Sequence, residues 1–313
     1  MKQVMTRSPF YFQSVHGTES TLGIKIWTGS ASSVPSSFTY ELNKSHTDGV
    51  ATHEISELLN DYISQSFSGT NATYIPNYAY FRLTQSESGS GAVYGTATES
   101  YTMMALEGYI DNNDTVQYYK NDGNYSLQEY YFFNEPMEYI MPEGEELKLV
   151  QNSNSFTVTP VSSISSPDFS ISHTPCTKFD YKKLTFVNKY GGKSDIWFTA
   201  KSTRTDNFKS ETFRSSTFDY VNLSNNQTKH SNSKISTNGK TTMTLNTDFL
   251  NDQYNELFTQ LKMSEYVWYT EGGNTTPASV KDMSHTHKTH LNDGLIQYTV
   301  KIELDHSIAK NFK

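Results

Sequence analysis

Cysteine is almost absent from this chain. Cys176 is the single one among 313 residues, so no disulfide can close within it. A fold that gains nothing from oxidation suits synthesis in a reducing cytosol. Charge is scarce as well: 19% of residues are charged, against roughly 25% in ordinary soluble domains. That argues against disorder driven by charge repulsion. Long hydrophobic runs are missing too. No window approaches the ~18 apolar residues of a membrane-spanning helix, so no membrane insertion is expected. The opening MKQVMTRSPFYFQ has neither an apolar h-region nor a small-residue cleavage signal, so no secretory leader is expected. Basic residues are sparse in the first half. Residues 1–150 hold 7 Lys+Arg against 18 Asp+Glu, and residues 151–313 hold 18 against 15. An acidic half offers no basic face, so no nucleic-acid partner is expected.

Ser, Thr, Asn and 22 Tyr take the place of charge. Tyr and Thr fit pleated surfaces, and Ser and Asn populate turns. Tyr also supplies contact area with few rotamers to freeze, which suits protein interfaces. The clearest local pattern is residues 184–199, LTFVNKYGGKSDIWFT. Leu184 and Phe186 alternate with Thr185 and Val187, Gly191-Gly192 interrupts, and Ile196 and Phe198 resume against Trp197 and Thr199. Two period-two runs around a Gly-Gly turn read as a β-hairpin with aromatic faces. Earlier, Ile24 and Ile26 share one face of a strand, with Lys25 and Trp27 on the other. The fold class expected is all-β, mainly antiparallel, with two β-sandwich-like domains that each carry one short amphipathic helix.

The first helix is placed at Glu54–Gln65, where Ile55, Leu58, Leu59, Tyr62 and Ile63 form an apolar stripe. The second is placed near 248–262, with Thr247 as N-cap, Asp248 in the first turn, and Leu250, Tyr254, Leu257, Phe258 and Leu261 on its buried face. Residues 151–175 are rich in Ser, Thr and Pro and read as a linker. The expected division is an acidic sandwich domain at 1–150 and a second sandwich domain at 176–313. Ser210–Leu223 and Thr241–Leu245 read as strands.

Sites of chemistry are few. His285 and His287 would share one face of a strand and suit zinc or copper, but no local Asp or Glu completes a known spacing, so the pair reads as polar side chains on a solvent-facing strand and no cofactor is expected. Asn238-Gly239-Lys240-Thr241 mimics the end of a phosphate loop, but Lys234 stands where the earlier glycine is required. No Gly-x-Ser-x-Gly elbow occurs, and no catalytic residue is assigned. Trp27, Trp197, Phe198 and Trp268 lie in strands and read as core or interface area.

A set of ordered segments carries a resemblance. They are Arg7–Tyr11, Ile24–Gly29, His53–Ile63, Phe186-Val187-Asn188-Lys189-Tyr190-Gly191-Gly192, Leu257-Phe258, Ser264–Trp268 and Asn292–Lys301. In this order the chain resembles structural proteins in the tail modules of tailed bacteriophages. The resemblance implies a non-enzymatic virion component made in the host cytoplasm, an oligomeric scaffold or connector in the tail, tail tip, baseplate or neck. Its partners would be copies of itself in a ring and other virion structural proteins. The alternative from another class is a carbohydrate-binding or host-attachment sandwich, which needs exposed planar faces at Trp27 and Trp268.

Overall fold

Period-two alternation becomes strands throughout the structure, a computed structural model that describes residues 1–93, 98–111, 116–122, 124–127, 138–152, 156–162, 170–174, 178–226, 228–282, 295–305 and 308–311. In chain order the first elements are β1 (Gln3–Met5), β2 (Phe10–Ser14), β3 (Glu19–Trp27), β4 (Tyr40–Ser45), β5 (Ala51–Glu54) and α1 (Ser56–Asn60). A 3-10 turn at Asn71–Tyr74 precedes β6 (Tyr78–Ser88), β7 (Thr98–Glu99), β8 (Met103–Leu106) and β9 (Gln117–Lys120). Then come β10 (Glu138–Pro142), β11 (Leu147–Asn152), β12 (Phe156–Val161), β13 (Ser170–Thr174), β14 (Lys182–Val187) and β15 (Lys193–Phe198). Next are β16 (Thr203–Arg214), β17 (Phe218–Asp219), β18 (Ser224–Asn225) and β19 (Asn232–Asn251). The last are α2 (Tyr254–Met263), β20 (Val267–Glu271), β21 (Asn274–Val280), β22 (Leu295–Leu304) and β23 (Ile308–Asn311). The fold is all-β and mostly antiparallel.

Two compact units interleave along the chain. Unit 1 holds Met1–Met137, Gly144–Ile171 and Phe186–Asp195; unit 2 holds Glu138–Glu143, Ser172–Thr185 and Ile196–Lys313. The path therefore differs from a single cut with a linker at 151–175. β11 and β12 pair as a hairpin from Leu147↔Val161 to Asn152↔Phe156, and β13 follows. Phe156 and Val158 give that hairpin an apolar face against Val150, while Thr159 faces solvent. The Ser/Thr content that resembled a linker belongs partly to a solvated strand face.

Unit 1 is layered. Its six-stranded sheet runs β1-β8-β6-β3-β4 with β7 beside β6, and a second sheet runs β5-β2-β9. Alternation sorts the side chains. Ile24, Ile26, Phe81, Leu83, Met103 and Ala105 face Phe10 and Phe12 of the small sheet, together with Ile55, Leu59 and Ile63 around α1. Phe10 meets Phe81 edge-on at 6.0 Å. Trp27, Tyr80, Met104 and Leu106 point the other way, toward Val150 and Tyr74. Each fully buried side chain of this size contributes about 1.5–3 kcal/mol, so both faces of the central sheet hold the unit together. α1 is shorter than the stripe implied. Ile55, Leu59 and Ile63 are buried, but Tyr62 is exposed. Tyr62 and Ile63 donate to Leu59 and Asn60, i→i−3 bonds that tighten and end the helix, and Asn77 then holds the Ser64 carbonyl.

Unit 2 carries an eight-stranded sheet in the order β15-β14-β20-β21-β22-β19-β16, with β23 also on β19. The tip of the β14–β15 hairpin, Phe186–Asp195, is counted in unit 1. α2 covers the sheet through Tyr254, Leu257, Phe258 and Leu261, all buried. Phe258 stacks on Tyr298 at 4.3 Å and meets Phe198 edge-on at 6.2 Å. The expected N-cap at Thr247 is not one. β19 continues to Asn251, and the helix starts at Tyr254 with no side-chain cap. Thr247 instead sits in a bulge between Asn246 and Phe249, where its hydroxyl accepts the Tyr298 N–H at 2.9 Å. That bond satisfies a buried donor which the bulge would otherwise orphan.

Candidate interaction surface

β16 and β19 pair far beyond the packed body of unit 2. Their antiparallel register runs from Thr203↔Thr244 to Arg214↔Asn232, with a bulge between Glu211 and Thr212. All twelve residues of β16 are exposed, and β16 ends the sheet. Its outer row of N–H and C=O groups is a free edge, the kind of surface that pairs with another chain. Seven of the eighteen exposed large apolar side chains among the described residues fall between 203 and 240: Phe208, Phe213, Phe218, Tyr220, Val221, Leu223 and Ile235. A two-stranded ribbon alone in water is marginal, and beyond Ser236–Gly239, where β23 adds a third strand, the arm has two strands among the described residues.

The tip is held in a defined shape. β17 and β18 pair as Phe218↔Asn225 and Asp219↔Ser224, leaving Tyr220–Leu223 as the connecting loop. One oxygen of Asp219 accepts the Val221 N–H at 2.9 Å and the Asn222 N–H at 3.4 Å, and the other accepts the Asn222 amide at 2.8 Å. The Asn222 amide, then those backbone donors, keep the Asp219 carboxyl below the usual carboxylate range. Leu223 adopts φ +48, a conformation costly for a branched side chain. Within this loop Tyr220, Val221 and Leu223 are 77%, 89% and 77% exposed. Strain and exposed apolar area coincide at Leu223.

Charge frames the tip. Arg214 and Lys234 flank its base on β16 and β19, both exposed, and neither makes an ion pair among the described residues. Nearer the body, Arg204 pairs with Asp206 at 3.2 Å and Lys240 with Glu303 at 2.8 Å. The contact capacity of the distal arm is thus apolar at its end and cationic at its shoulders.

Unit 1 offers a concave surface of its own. A groove of about 420 Å³ is lined by Thr28, Tyr62, Ile63, Ile75, Pro76 and Tyr78 among others, within the size range of ligand-accepting clefts. Glu57 in α1 and Asp61 just after it are both exposed and without an ion pair among the described residues.

The residues singled out from sequence lie elsewhere. Trp27, Trp197 and Trp268 are 7%, 4% and 5% exposed, and Phe198 is fully buried. Trp27 donates its indole N–H to the Ser30 carbonyl at 2.9 Å and stands 5.9 Å from Tyr80. Neither Trp27 nor Trp268 presents an open planar face, so these residues lend no support to a sugar platform. His285, His287 and Cys176 lie outside the described residues. Among the described residues no group of three or more His, Cys, Asp or Glu is gathered about a metal-sized space, and no helix is long and apolar enough to cross a membrane.

Two buried polar clusters in unit 1 went unrecognised in the sequence. In the first, Ser14 donates to Glu87 at 2.8 Å, accepts from Gln85 at 2.9 Å and lies 3.2 Å from His46 Nε2. Serine, histidine and a carboxylate meet here, but Ser14 is fully buried and the acid contacts the serine rather than the imidazole. That geometry fastens β2 to β6 and gives no substrate a path to the hydroxyl. In the second, Tyr74 donates to Asp195 at 2.7 Å, and Lys193 donates to the Ile75 carbonyl at 3.3 Å. Burial pushes Lys193 down to about 8, against an upward pull from Glu107. These groups lock the tip of the Gly-Gly hairpin into unit 1. Comparison with protein-family models, with curated proteins and with solved structures finds no match for the chain.

Proposed function

We propose that this chain is a non-enzymatic structural component of a tailed-phage virion, an oligomeric scaffold or connector in the tail, tail tip or neck. The virion assignment rests on the ordered sequence segments that resemble phage tail-module proteins. The observation that carries the assembly role is the exposed arm, with its free edge along β16 and its held apolar tip at Tyr220–Leu223. A lone monomer gains nothing from presenting such surface and runs an aggregation hazard by doing so. An assembly covers it. The partners would be copies of the chain in a ring and other virion structural proteins. Sedimentation of the purified chain should show a concentration-dependent oligomer, and mass spectrometry of purified virions should detect it in multiple copies. A homogeneous monomer that is absent from virions would overturn the proposal.

A further inference from the structure

We infer that β16 pairs antiparallel with β16 of a second copy, in the register that sets Ser210 opposite the partner's Ser210. This rests on the assembly reading above and adds the partner surface and its register. β16 ends its sheet among the described residues, all twelve of its residues are exposed, and it contains no proline to block an added strand. Its centre is braced from behind. Phe208 and Glu211 pair with Gly239 and Ser236 of β19, and these pair in turn with Ile308 and Asn311 of β23. The extra residue of the bulge, Ile235, lies on β19, so side chains along β16 alternate without a break. Charge then selects the register. Asp206, Lys209, Glu211 and Arg214 alternate in sign with spacings of 3, 2 and 3, symmetric about Ser210. A copy running the other way about Ser210 meets each of these charges with its opposite: Lys209 faces the partner's Glu211, and Asp206 faces the partner's Arg214. Facing side chains must share a face of the sheet, so the two-fold axis passes beside a residue rather than between two. Centring it on Asp206, Lys209 or Glu211 sets a charge against its own copy, and centring it on Asn207 or Phe208 matches no opposite charges. Centres nearer either end of β16 overlap five residues or fewer, against nine for Ser210. Lys209 and Arg214 make no ion pair among the described residues, and there Glu211 accepts only from Ser236, at 3.4 Å. Asp206 already pairs with Arg204 at 3.2 Å, so the Lys209–Glu211 match is the stronger selector. Phe208, 60% exposed, comes opposite the partner's Thr212, an aromatic and β-branched pair that suits a sheet. Main-chain bonds along the edge supply affinity, and the charges fix which register forms. The contact is isologous and closes on two copies, so a ring needs a second surface besides this one.

Cross-linking and mass photometry of the full chain test the register. In a Cys176→Ser background, which removes the one native cysteine, Ser210→Cys should give a disulfide-linked dimer under mild oxidation. Facing Cα atoms lie about 4.5–5.5 Å apart, within reach of that bond. Asn207→Cys should give no such dimer, because its own copy is displaced by six residues, about 20 Å. Lys209→Glu and Glu211→Lys should each weaken self-association by about tenfold, since each sets like charges face to face twice. Combining both in one chain should restore it, and mixing the two single variants should give a heterodimer, because opposite charges meet again in both cases. All four substituted positions on β16 are exposed, and the cross-link reports independently of whether the charge variants fold. A dimer linked through Asn207→Cys but not through Ser210→Cys would overturn the inference. Association restored in neither the double variant nor the mixture would overturn it as well. An oligomer that forms at wild-type strength in both charge variants and links at neither position would overturn it and leave the assembly reading standing. A wild-type chain that stays monomeric at every concentration would sink both.

Discussion

At Gly108 a single hydrogen allows two backbone segments of unit 1 to touch. A Cβ there would lie 2.3 Å from the Lys189 carbonyl oxygen and 2.5 Å from Met5 Sδ. The Tyr109 N–H donates to that same Lys189 carbonyl at 2.8 Å, so the backbone cannot retreat without losing a bond. Gly108→Ala should destabilise the fold by about 1–3 kcal/mol through overpacking, read as a lower urea midpoint with an unchanged slope. Across the contact, Gly191 has φ +81, and the Asn188 carboxamide accepts both the Tyr190 and Gly192 N–H at 3.0 Å. His53 supplies a different residue-level test. Burial, then the positive field of Lys44, pushes its imidazole down to about 4, and Nε2 has no hydrogen-bond partner among the described residues. The unfolded chain takes up this proton near pH 6.5 and the folded chain only near 4. Stability from His53 is therefore full above about pH 6.5 and is lost as pH falls toward 4, by about 2 kcal/mol after allowance for residual screening. His53→Gln should flatten that part of the stability profile. A wild-type slope that persists in the variant would assign the effect to another group.

Elements show where local pattern and tertiary setting part company. The Gly-Gly hairpin was legible because Leu184, Phe186, Ile196 and Phe198 alternate around a turn that only glycine and asparagine chemistry closes. α2 was legible in its buried face but not in its start. Thr247 and Asp248 have N-cap chemistry, and nothing local reveals that Phe249–Asn251 pair with Leu295–Gln297. The arm was the least legible element, although it is the candidate site. Ser210–Leu223 reads as one strand because Thr, Phe and Ser alternate there. The break at Arg214 and the turn at Tyr220–Leu223 are set by pairing with residues 224–240, a segment with no strong pattern of its own. Exposure is a tertiary property, and Phe208 or Phe213 in sequence looks the same as a core phenylalanine. The tip yields its own expectation. Asp219→Ala removes the acceptor of the Val221 and Asn222 N–H groups. Amide exchange at those two positions should accelerate while the core amides of β22 keep their protection. Unchanged exchange at Val221 would mean that the loop is held by something other than Asp219.

For the whole molecule the arm and the cores are separable in energy. Cores in both units are closed by side chains such as Phe10, Phe81, Phe198 and Phe258, each essentially buried. The described residues between 212 and 234 contribute none of that area. Among the described residues Thr212–Arg214 pair only with Asn232–Lys234, and Phe213, Tyr220, Val221 and Leu223 are exposed. Nearer the body, β19 is also braced by β22 and β23, through Thr242↔Glu303 and Gly239↔Ile308 among other pairs. Replacing 212–234 with a two-residue Asn-Gly turn should therefore leave the cooperative unfolding transition in place, with a stability change within about 0.5 kcal/mol, as for surface substitutions. Self-association, by contrast, should disappear, because the deletion removes the held tip and cuts β16 short at Glu211, within the stretch that pairs about Ser210. Differential scanning calorimetry and mass photometry on the same preparation separate the two effects. A large drop in melting temperature would show that the distal arm braces the fold, and an intact oligomer would place the assembly surface in the body of the chain instead.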